Sequence, residues 1–237
     1  MRSKLWIGCV AALVLAWGGE AAARSARALN TKGYSLYKKK RYAEALKLFQ
    51  EAVDADDGYA LAHYNLACTY GVLRKKDKVC EHDAYRGTIT QHLQKAIKND
   101  PKLKKRMRAD ADLQPVHDTF AWQVMIGLSP RKTADVKRIL RAVSWFGPSP
   151  GAYGPTGGVT FKGRTVEVWK QTFNEEGDVG QKRYKGTFVV KGSSVTIRLK
   201  KALDGTKVFK GTLGADGELS FPGSLGKFTD DPDECSA

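Results

Sequence analysis

A helix–turn–helix pattern recurs in this chain at a fixed offset of 34 residues. The first copy covers residues 26–59, the second begins at Ala60, and Ala67 of the second copy matches Gly33 of the first. A repeat of this length is typical of stacked helical hairpins, because one hairpin buries its apolar face only against a neighbour. Stacked hairpins leave a groove open on one side, so the pattern favours a protein-interaction module.

Small and apolar residues recur at helical spacing in both helices of the first copy. They are Leu29, Gly33 and Leu36 in the first helix and Ala45, Phe49 and Ala52 in the second. Gly33 and Ala45 let two antiparallel helices approach closely, and Phe49 fills the space between repeats. The second copy repeats the pattern at Leu66, Ala67 and Tyr70. On these residues, the segment from 26 to about 101 resembles the tetratricopeptide repeat family.

The second copy departs from the repeat between its two helices. Its second helix matches that of the first copy at an offset of 44 rather than 34, through Ile89, Leu93 and Ala96. Ten residues are therefore inserted between Lys75 and Gly87. Insertions in such repeats map to loops on one face, which is often the binding face.

The resemblance implies that the first helix of each hairpin lines a groove for an unidentified protein or peptide partner. The predicted groove residues are Asn30, Tyr34, Tyr37, Tyr64 and Asn65. Asn65 matches an asparagine that some family members use to hold a peptide's C-terminal carboxylate. That clamp also needs a lysine and a second asparagine from the first repeat. Asn30 and Tyr34 occupy those two positions in this chain, so we expect no complete clamp. The tyrosines suit an aromatic contact surface; the alternative is that they are partly buried packing residues.

The first 23 residues have the pattern of a secretory signal peptide. Arg2 and Lys4 precede an uncharged apolar run from Leu5 to Trp17, and the small residues Ala21 to Ala23 follow. The apolar run is shorter than the roughly 20 residues that span a bilayer. We therefore expect a bacterial chain that is cleaved after residue 23 and is periplasmic or secreted, with no transmembrane span in the mature chain. The alternative is a retained N-terminal anchor.

The formal net charge of +15 favours partners that carry negative charge. Export would separate the chain from nucleic acid, and the basic clusters lack interleaved stacking aromatics or a known reading motif. We expect no nucleic-acid partner and consider an anionic envelope polymer instead. The alternative is that these clusters are ordinary solvated helix faces.

The composition changes after about residue 143. Gly/Pro-rich turns fill residues 144–158, and alternating segments joined by Gly-containing turns follow from 159 to 228. The sequence thus predicts an α+β multidomain fold: a helical domain over 24–143, an antiparallel β meander forming a small barrel or sandwich over 159–228, and an acidic tail over 229–237. The stretch from Tyr184 to Ile197 resembles small secreted lipocalin-like domains. Candidate ligand-lining residues are Phe161, Trp169, Phe188 and Phe209; the alternative is that they fill a narrow core.

No catalytic motif is evident in the sequence, so we expect a non-enzyme without cofactor or metal. The nucleophile elbow, the phosphate loop and the His-Glu-x-x-His helix are all lacking. In an exported chain, Cys68 and Cys80 are the favoured disulfide pair, and pairings with Cys235 are the alternative. A zinc site formed by these two cysteines with His82 and His92 is a further alternative, but the spacing of these residues matches no familiar zinc finger.

Three functions therefore follow from the sequence. The leading one is a non-enzymatic exported interaction module or scaffold in the bacterial cell envelope. The first alternative is a small-molecule or lipid carrier that uses the β domain. The second is an enzyme with an unrecognised interdomain site.

Overall fold

The computed structural model describes residue 23, residues 25–148, 155–173 and 179–232, and residue 235. The predicted signal peptide lies outside these described residues apart from Ala23, as do residues 149–154 of the Gly/Pro stretch and most of the tail after residue 232. The chain forms two compact units, Met1–Gln114 and Pro115–Ala237. We call them the helical unit and the barrel unit. No described helix is both long and apolar enough to cross a membrane.

The helical unit consists of successive helical hairpins, as the repeat predicts. Its helices are α1 (25–38), α2 (Tyr42–Ala55), α3 (Ala60–Lys75), α4 (Val79–His82), α5 (Arg86–Asn99) and α6 (Leu103–Ala109), followed by a 3-10 helix over Ala111–Val116. The short helix α4 lies within the predicted insertion. Helix α3 packs against both α2 and α5, so it forms the centre of the unit.

The packing seam of the first hairpin depends on a small residue facing a large one. Phe49 is fully buried, and its ring lies where a side chain at position 33 would begin: a Cβ at Gly33 would be 2.8 Å from Cε1 of Phe49. Ala45 and Ala52, on the same face of α2, are also fully buried. The helical spacing in the sequence therefore identified this seam correctly.

The barrel unit contains an eight-stranded antiparallel sheet in which every strand pairs with the next along the chain. The strands are β1 (Trp145–Phe146), β2 (Gly157–Lys162), β3 (Thr165–Phe173), β4 (Val179–Lys191), β5 (Ser194–Leu203), β6 (Thr206–Leu213), β7 (Leu219–Phe221) and β8 (Gly226–Phe228). Phe146 and Thr229 exchange backbone hydrogen bonds of 2.7 and 2.9 Å, so the sheet is nearly closed into a barrel. The predicted α+β fold with a β meander is confirmed.

Two helices that we expected in the helical domain belong to the barrel unit instead. They are α7 (Phe120–Met125) and α8 (Thr133–Ala142). Val136, Ile139 and Leu140 of α8 are fully buried and share one hydrophobic core with inward-facing strand residues. The division at Gln114 thus differs from the boundary over 144–158 that we predicted, because helical spacing does not tell which core a helix joins.

The barrel interior is filled by packed side chains at the described positions. Phe161 and Phe188 form an edge-on pair with ring centres 4.8 Å apart, and Phe209 is buried in the same core. Trp169 lies on the opposite face from its buried neighbour Val168, since strand residues alternate. Our expectation that Trp169 lines the interior is therefore wrong.

Candidate binding groove of the helical unit

The five predicted groove residues lie together on α1 and α3. Asn65 of α3 donates its amide Nδ2 to Oδ1 of Asn30 on α1 over 2.9 Å. On α1, the rings of Tyr34 and Tyr37 are stacked, with centres 6.3 Å apart and planes 9° apart. The first helices of the two hairpins therefore form one continuous polar and aromatic surface.

These residues differ in their access to a partner. The side chain of Tyr34 is 42% exposed, whereas Tyr64 is fully buried. Asn30 and Asn65 are also buried, and each is bonded to the other. Tyr34 is thus placed to contact a partner directly. Tyr64 is instead a buried packing residue, as the alternative interpretation of the tyrosines proposed.

A segment of the same chain lies across this surface. Residues Asp110–Leu113, here called the groove segment, follow α6. The Tyr37 hydroxyl donates to a carboxylate oxygen of Asp112, and the Tyr64 hydroxyl donates to Oδ2 of Asp110 over 2.7 Å. The Cys68 thiol points at the same Asp110 oxygen from 3.6 Å. The groove segment therefore bonds to both α1 and α3.

The backbone of the groove segment is also held tightly against α3. A Cβ at Gly71 would collide with the backbone carbonyl oxygen of Asp112. One turn further along α3, the Lys75 ammonium donates to the carbonyl oxygen of Ala111 over 2.9 Å and pairs with Asp112 Oδ1 at 3.3 Å. The absence of a side chain at Gly71 is what permits this approach.

A small pocket stays open beside the groove segment. It has a volume of about 220 Å³ and is lined by Tyr34, Tyr37, Asn65, Cys68, Arg106, Asp110 and Asp112. The guanidinium of Arg106 lies over the Tyr64 ring at 4.7 Å, and the Lys38 ammonium lies 5.3 Å from the centre of the Tyr34 ring. Tyr37 and Asn65 are bonded to Asp112 and Asn30, so Tyr34 and Arg106 are the lining residues that can offer polar groups to a peptide in this pocket.

Burial keeps the groove donors in their protonated forms. It raises the pKa of Tyr37 far above the usual range, and the hydrogen bond to Asp112 adds to the effect. The pKa of Tyr64 is raised by burial, by Cys68 and by the Asp110 carboxylate. Burial and Asp110 also raise the pKa of the Cys68 thiol well above its usual value. Both tyrosines are therefore neutral donors, and Cys68 is a poor nucleophile while it is covered.

Comparison with known families agrees with this geometry. Residues 26–59 match the family model of the tetratricopeptide repeat. The chain carries a tetratricopeptide repeat. The match covers α1 and α2 and includes Asn30, Tyr34 and Tyr37. A search of curated proteins found no matching relative.

The run Asp110–Leu113 was expected to follow and cap the last repeat, but its contacts with the groove wall were not anticipated. Its partners are distant in sequence: Tyr64 lies 46 residues before Asp110, and Tyr37 lies 75 residues before Asp112. The only signal was two aspartates alternating with apolar residues just after the last repeat helix. That signal predicts no particular contact.

The predicted Cys68–Cys80 disulfide is wrong. Cys68 is a free, buried thiol that faces Asp110 across the groove. Cys80 and Cys235 are each disulfide-bonded. The zinc alternative is not assembled either, because no group of three or more potential ligands is found among the described residues. Spacing along α3 could not show that the groove segment covers Cys68.

A histidine pair joins α3 to α5. Nδ1 of His63 lies 2.9 Å from Nδ1 of His92, and Nε2 of His63 lies 3.0 Å from the carbonyl oxygen of Asp57. A carbonyl only accepts, so we assign the His63 proton to Nε2, and His92 donates from Nδ1. Burial, then the charges of His63 and Lys95, lower the pKa of His92 to about 4. His92 is therefore a neutral ring at pH 7, which suits its role as the donor to His63.

Acidification is expected to destabilise the helical unit through His92. Its folded pKa of about 4 lies below the usual 6.5, so between these values the unfolded chain binds the extra proton. The free energy of unfolding therefore falls as the pH drops from 6.5 toward 4, by about 1–3 kcal/mol after allowance for the partial exposure of His92. Urea unfolding at pH 7.5 and pH 4.5 measures the loss.

The His92→Gln variant is the matched control for this pH dependence. It removes the titrating ring but keeps a polar side chain, so its loss of stability on acidification should be smaller than that of the wild type. His117, whose pKa burial also lowers, contributes equally to both proteins and cancels in the comparison. Equal losses in the two proteins would show that His92 is not the responsible group.

Proposed function

We propose that this protein is a non-enzymatic interaction module or scaffold whose tetratricopeptide repeat groove binds a polypeptide partner. The observation that carries the proposal is the exposed Tyr34 at the edge of a groove formed by α1 and α3. Repeats of this family generally serve protein interaction, and residues 26–59 match it. Tyrosine is among the residues that most often anchor protein interfaces, because its ring buries apolar surface and its hydroxyl group forms hydrogen bonds.

The setting of Tyr34 supports this role. Its ring stacks on Tyr37, which the hydrogen bond to Asp112 holds in place, so Tyr34 rests on a fixed aromatic neighbour. The adjacent Lys38 and Arg106 present positive charge on the same side. A partner segment that brings an apolar or aromatic side chain flanked by acidic groups suits this surface.

Export to the bacterial cell envelope is part of the proposal. It is supported by the signal-peptide pattern of residues 1–23 and by the disulfide bonding of Cys80, since disulfides persist in oxidising compartments. A basic groove in the barrel unit suits an anionic envelope polymer. There, Lys137, Arg141 and Arg164 line a groove of about 410 Å³ that has no acidic lining residue.

The barrel unit is proposed as a second contact or spacer module. The close packing of Phe161 on Phe188 supports a filled core over a ligand cavity and therefore weighs against the carrier alternative. The enzyme alternative has no support from a recognised catalytic motif in the sequence.

Site-specific photo-crosslinking tests the proposed function. A benzophenone amino acid in place of Tyr34 should crosslink to a discrete protein in cells that make the chain at native level. The same substitution at Glu51, which is exposed on α2, serves as the control and should give no such product. Crosslinking at neither position, or equally at both, would contradict binding at the groove.

A further inference from the structure

The groove of the helical unit already holds an occupant, and that occupant is acidic. Asp110 directly follows α6 and has an extended backbone conformation. Asp112 follows two residues later. Both carboxylates turn toward the groove wall, where Tyr64 and Tyr37 donate to them. The groove thus binds two aspartate side chains separated by one residue.

The groove wall is complementary to this acidic segment. Two tyrosine hydroxyls and the Cys68 thiol supply donors, and the Lys75 ammonium pairs with Asp112 at 3.3 Å. Hydrogen bonds to a charged acceptor are stronger than those to a neutral one. The groove wall therefore favours bound segments that carry carboxylates at these two positions. Leu113 is fully buried and adds an apolar anchor to the same segment.

The fit extends to the backbone. Gly71 leaves room for the Asp112 carbonyl, and Lys75 donates to the carbonyl of Ala111. Main-chain contacts of this kind do not depend on which side chains the bound segment carries. The spacing of the two carboxylates and the following leucine therefore define what the groove recognises.

We propose that the groove recognises an acidic Asp-x-Asp-Leu segment of a partner protein, and that the chain's own groove segment occupies this site until the partner displaces it. This inference rests on the proposed function and adds the chemistry of the partner. A segment tethered in the same chain has an effective concentration in the millimolar range for a short linker. Partner binding to the native chain is therefore weakened by this competition.

Cys68 provides a reporter for the position of the groove segment. Its thiol is buried and faces Asp110, so departure of the segment should speed its reaction with iodoacetamide. Hydrogen exchange of the amides at 111–113 gives a second reading, because Leu113 is fully buried while the segment is in place and becomes accessible to water when it leaves. Both measurements use the full chain under native conditions.

The Asp110→Asn/Asp112→Asn variant weakens the groove segment without altering the groove wall. Asparagine keeps the size of aspartate and can still accept at Oδ1, so circular dichroism should show an intact fold. We expect alkylation of Cys68 and exchange at 111–113 to accelerate about tenfold. The synthetic peptide Ala-Asp-Ala-Asp-Leu-Gln-Pro-Val, which copies residues 109–116, should then protect Cys68 in this variant. The same peptide with asparagine at both aspartates should not.

The Gly71→Ala variant is the matched control. Its new methyl group collides with the place of the Asp112 carbonyl, so the groove segment should leave, and Cys68 should react faster. Neither peptide should protect Cys68 here, because the methyl group blocks a trans segment as well. A dimer that the aspartate peptide dissociates would also support the proposal, with a second copy of this chain as the partner.

Two results would overturn the inference. Unchanged alkylation and exchange in the asparagine variant would show that the carboxylates do not hold the segment. Equal protection by both peptides would show that the groove does not distinguish charge. Neither result affects crosslinking at Tyr34, so failure of this inference and failure of the proposed function are distinguishable.

Discussion

Replacing Phe49 with alanine is expected to lower the free energy of unfolding of the helical unit by about 3–5 kcal/mol. The Phe49 side chain is fully buried, and its ring occupies the space that Gly33 leaves open between α1 and α2. Alanine would create a cavity at this position, because helices held by their other contacts collapse only partly into the space. Urea unfolding followed by far-ultraviolet circular dichroism measures the loss.

A surface variant on the same helix is the control for Phe49→Ala. Glu51 is exposed on α2, so Glu51→Ala should change the free energy of unfolding by no more than about 0.5 kcal/mol. Tyr34→Ala should also leave the fold nearly unchanged, since Tyr34 is the exposed groove residue. If Tyr34→Ala unfolds the unit while Phe49→Ala does not, the assignment of seam and groove faces is reversed.

The repeat was readable from the sequence because its contacts are local and periodic. Gly33 and Phe49 lie in adjacent helices of one hairpin, and the helical spacing of small and large residues places them face to face. The same reasoning placed Asn30 and Asn65 on one wall, where they bond to each other. Contacts that follow from a fixed period can be predicted from that period alone.

The occupant of the groove could not be predicted in this way. Asp112 reaches Tyr37 across 75 residues of sequence, and no periodicity relates the two. The same limit explains the wrong disulfide, since only the three-dimensional path of residues 110–113 shows that Cys68 is covered. Repeat position identifies a groove wall but not what lies on it.

Fragments that differ by α7 and α8 are expected to differ in whether they fold. The fragment 115–237 should unfold cooperatively, whereas the fragment 144–237 should lack a cooperative transition. Val136, Ile139 and Leu140 are fully buried in the core shared with the strands, and each contributes about 1.5–3 kcal/mol by its burial. Their sum is comparable with the roughly 5–15 kcal/mol net stability of a whole domain.

Polar contacts also tie α8 to the sheet, so a shortened fragment loses more than apolar packing. The Gly192 amide donates to Oγ1 of Thr133 over 2.8 Å, and the indole of Trp145 donates to the carbonyl of Leu140 over 3.1 Å. Removing α8 takes away the acceptor of the Trp145 indole, a hydrogen bond whose loss costs about 0.5–1.5 kcal/mol.

Thermal unfolding followed by circular dichroism distinguishes these outcomes, and a point variant provides the matched control. In the longer fragment, Ile139→Ala should cost about 2–5 kcal/mol, whereas Arg138→Ala at the neighbouring exposed position should cost little. If the fragment 144–237 unfolds cooperatively at the same temperature as the longer one, α8 is dispensable for the barrel core. The domain boundary would then lie in the Gly/Pro stretch, as the sequence suggested. A sheet that unfolds cooperatively without α8 must bury enough apolar surface among its own strands.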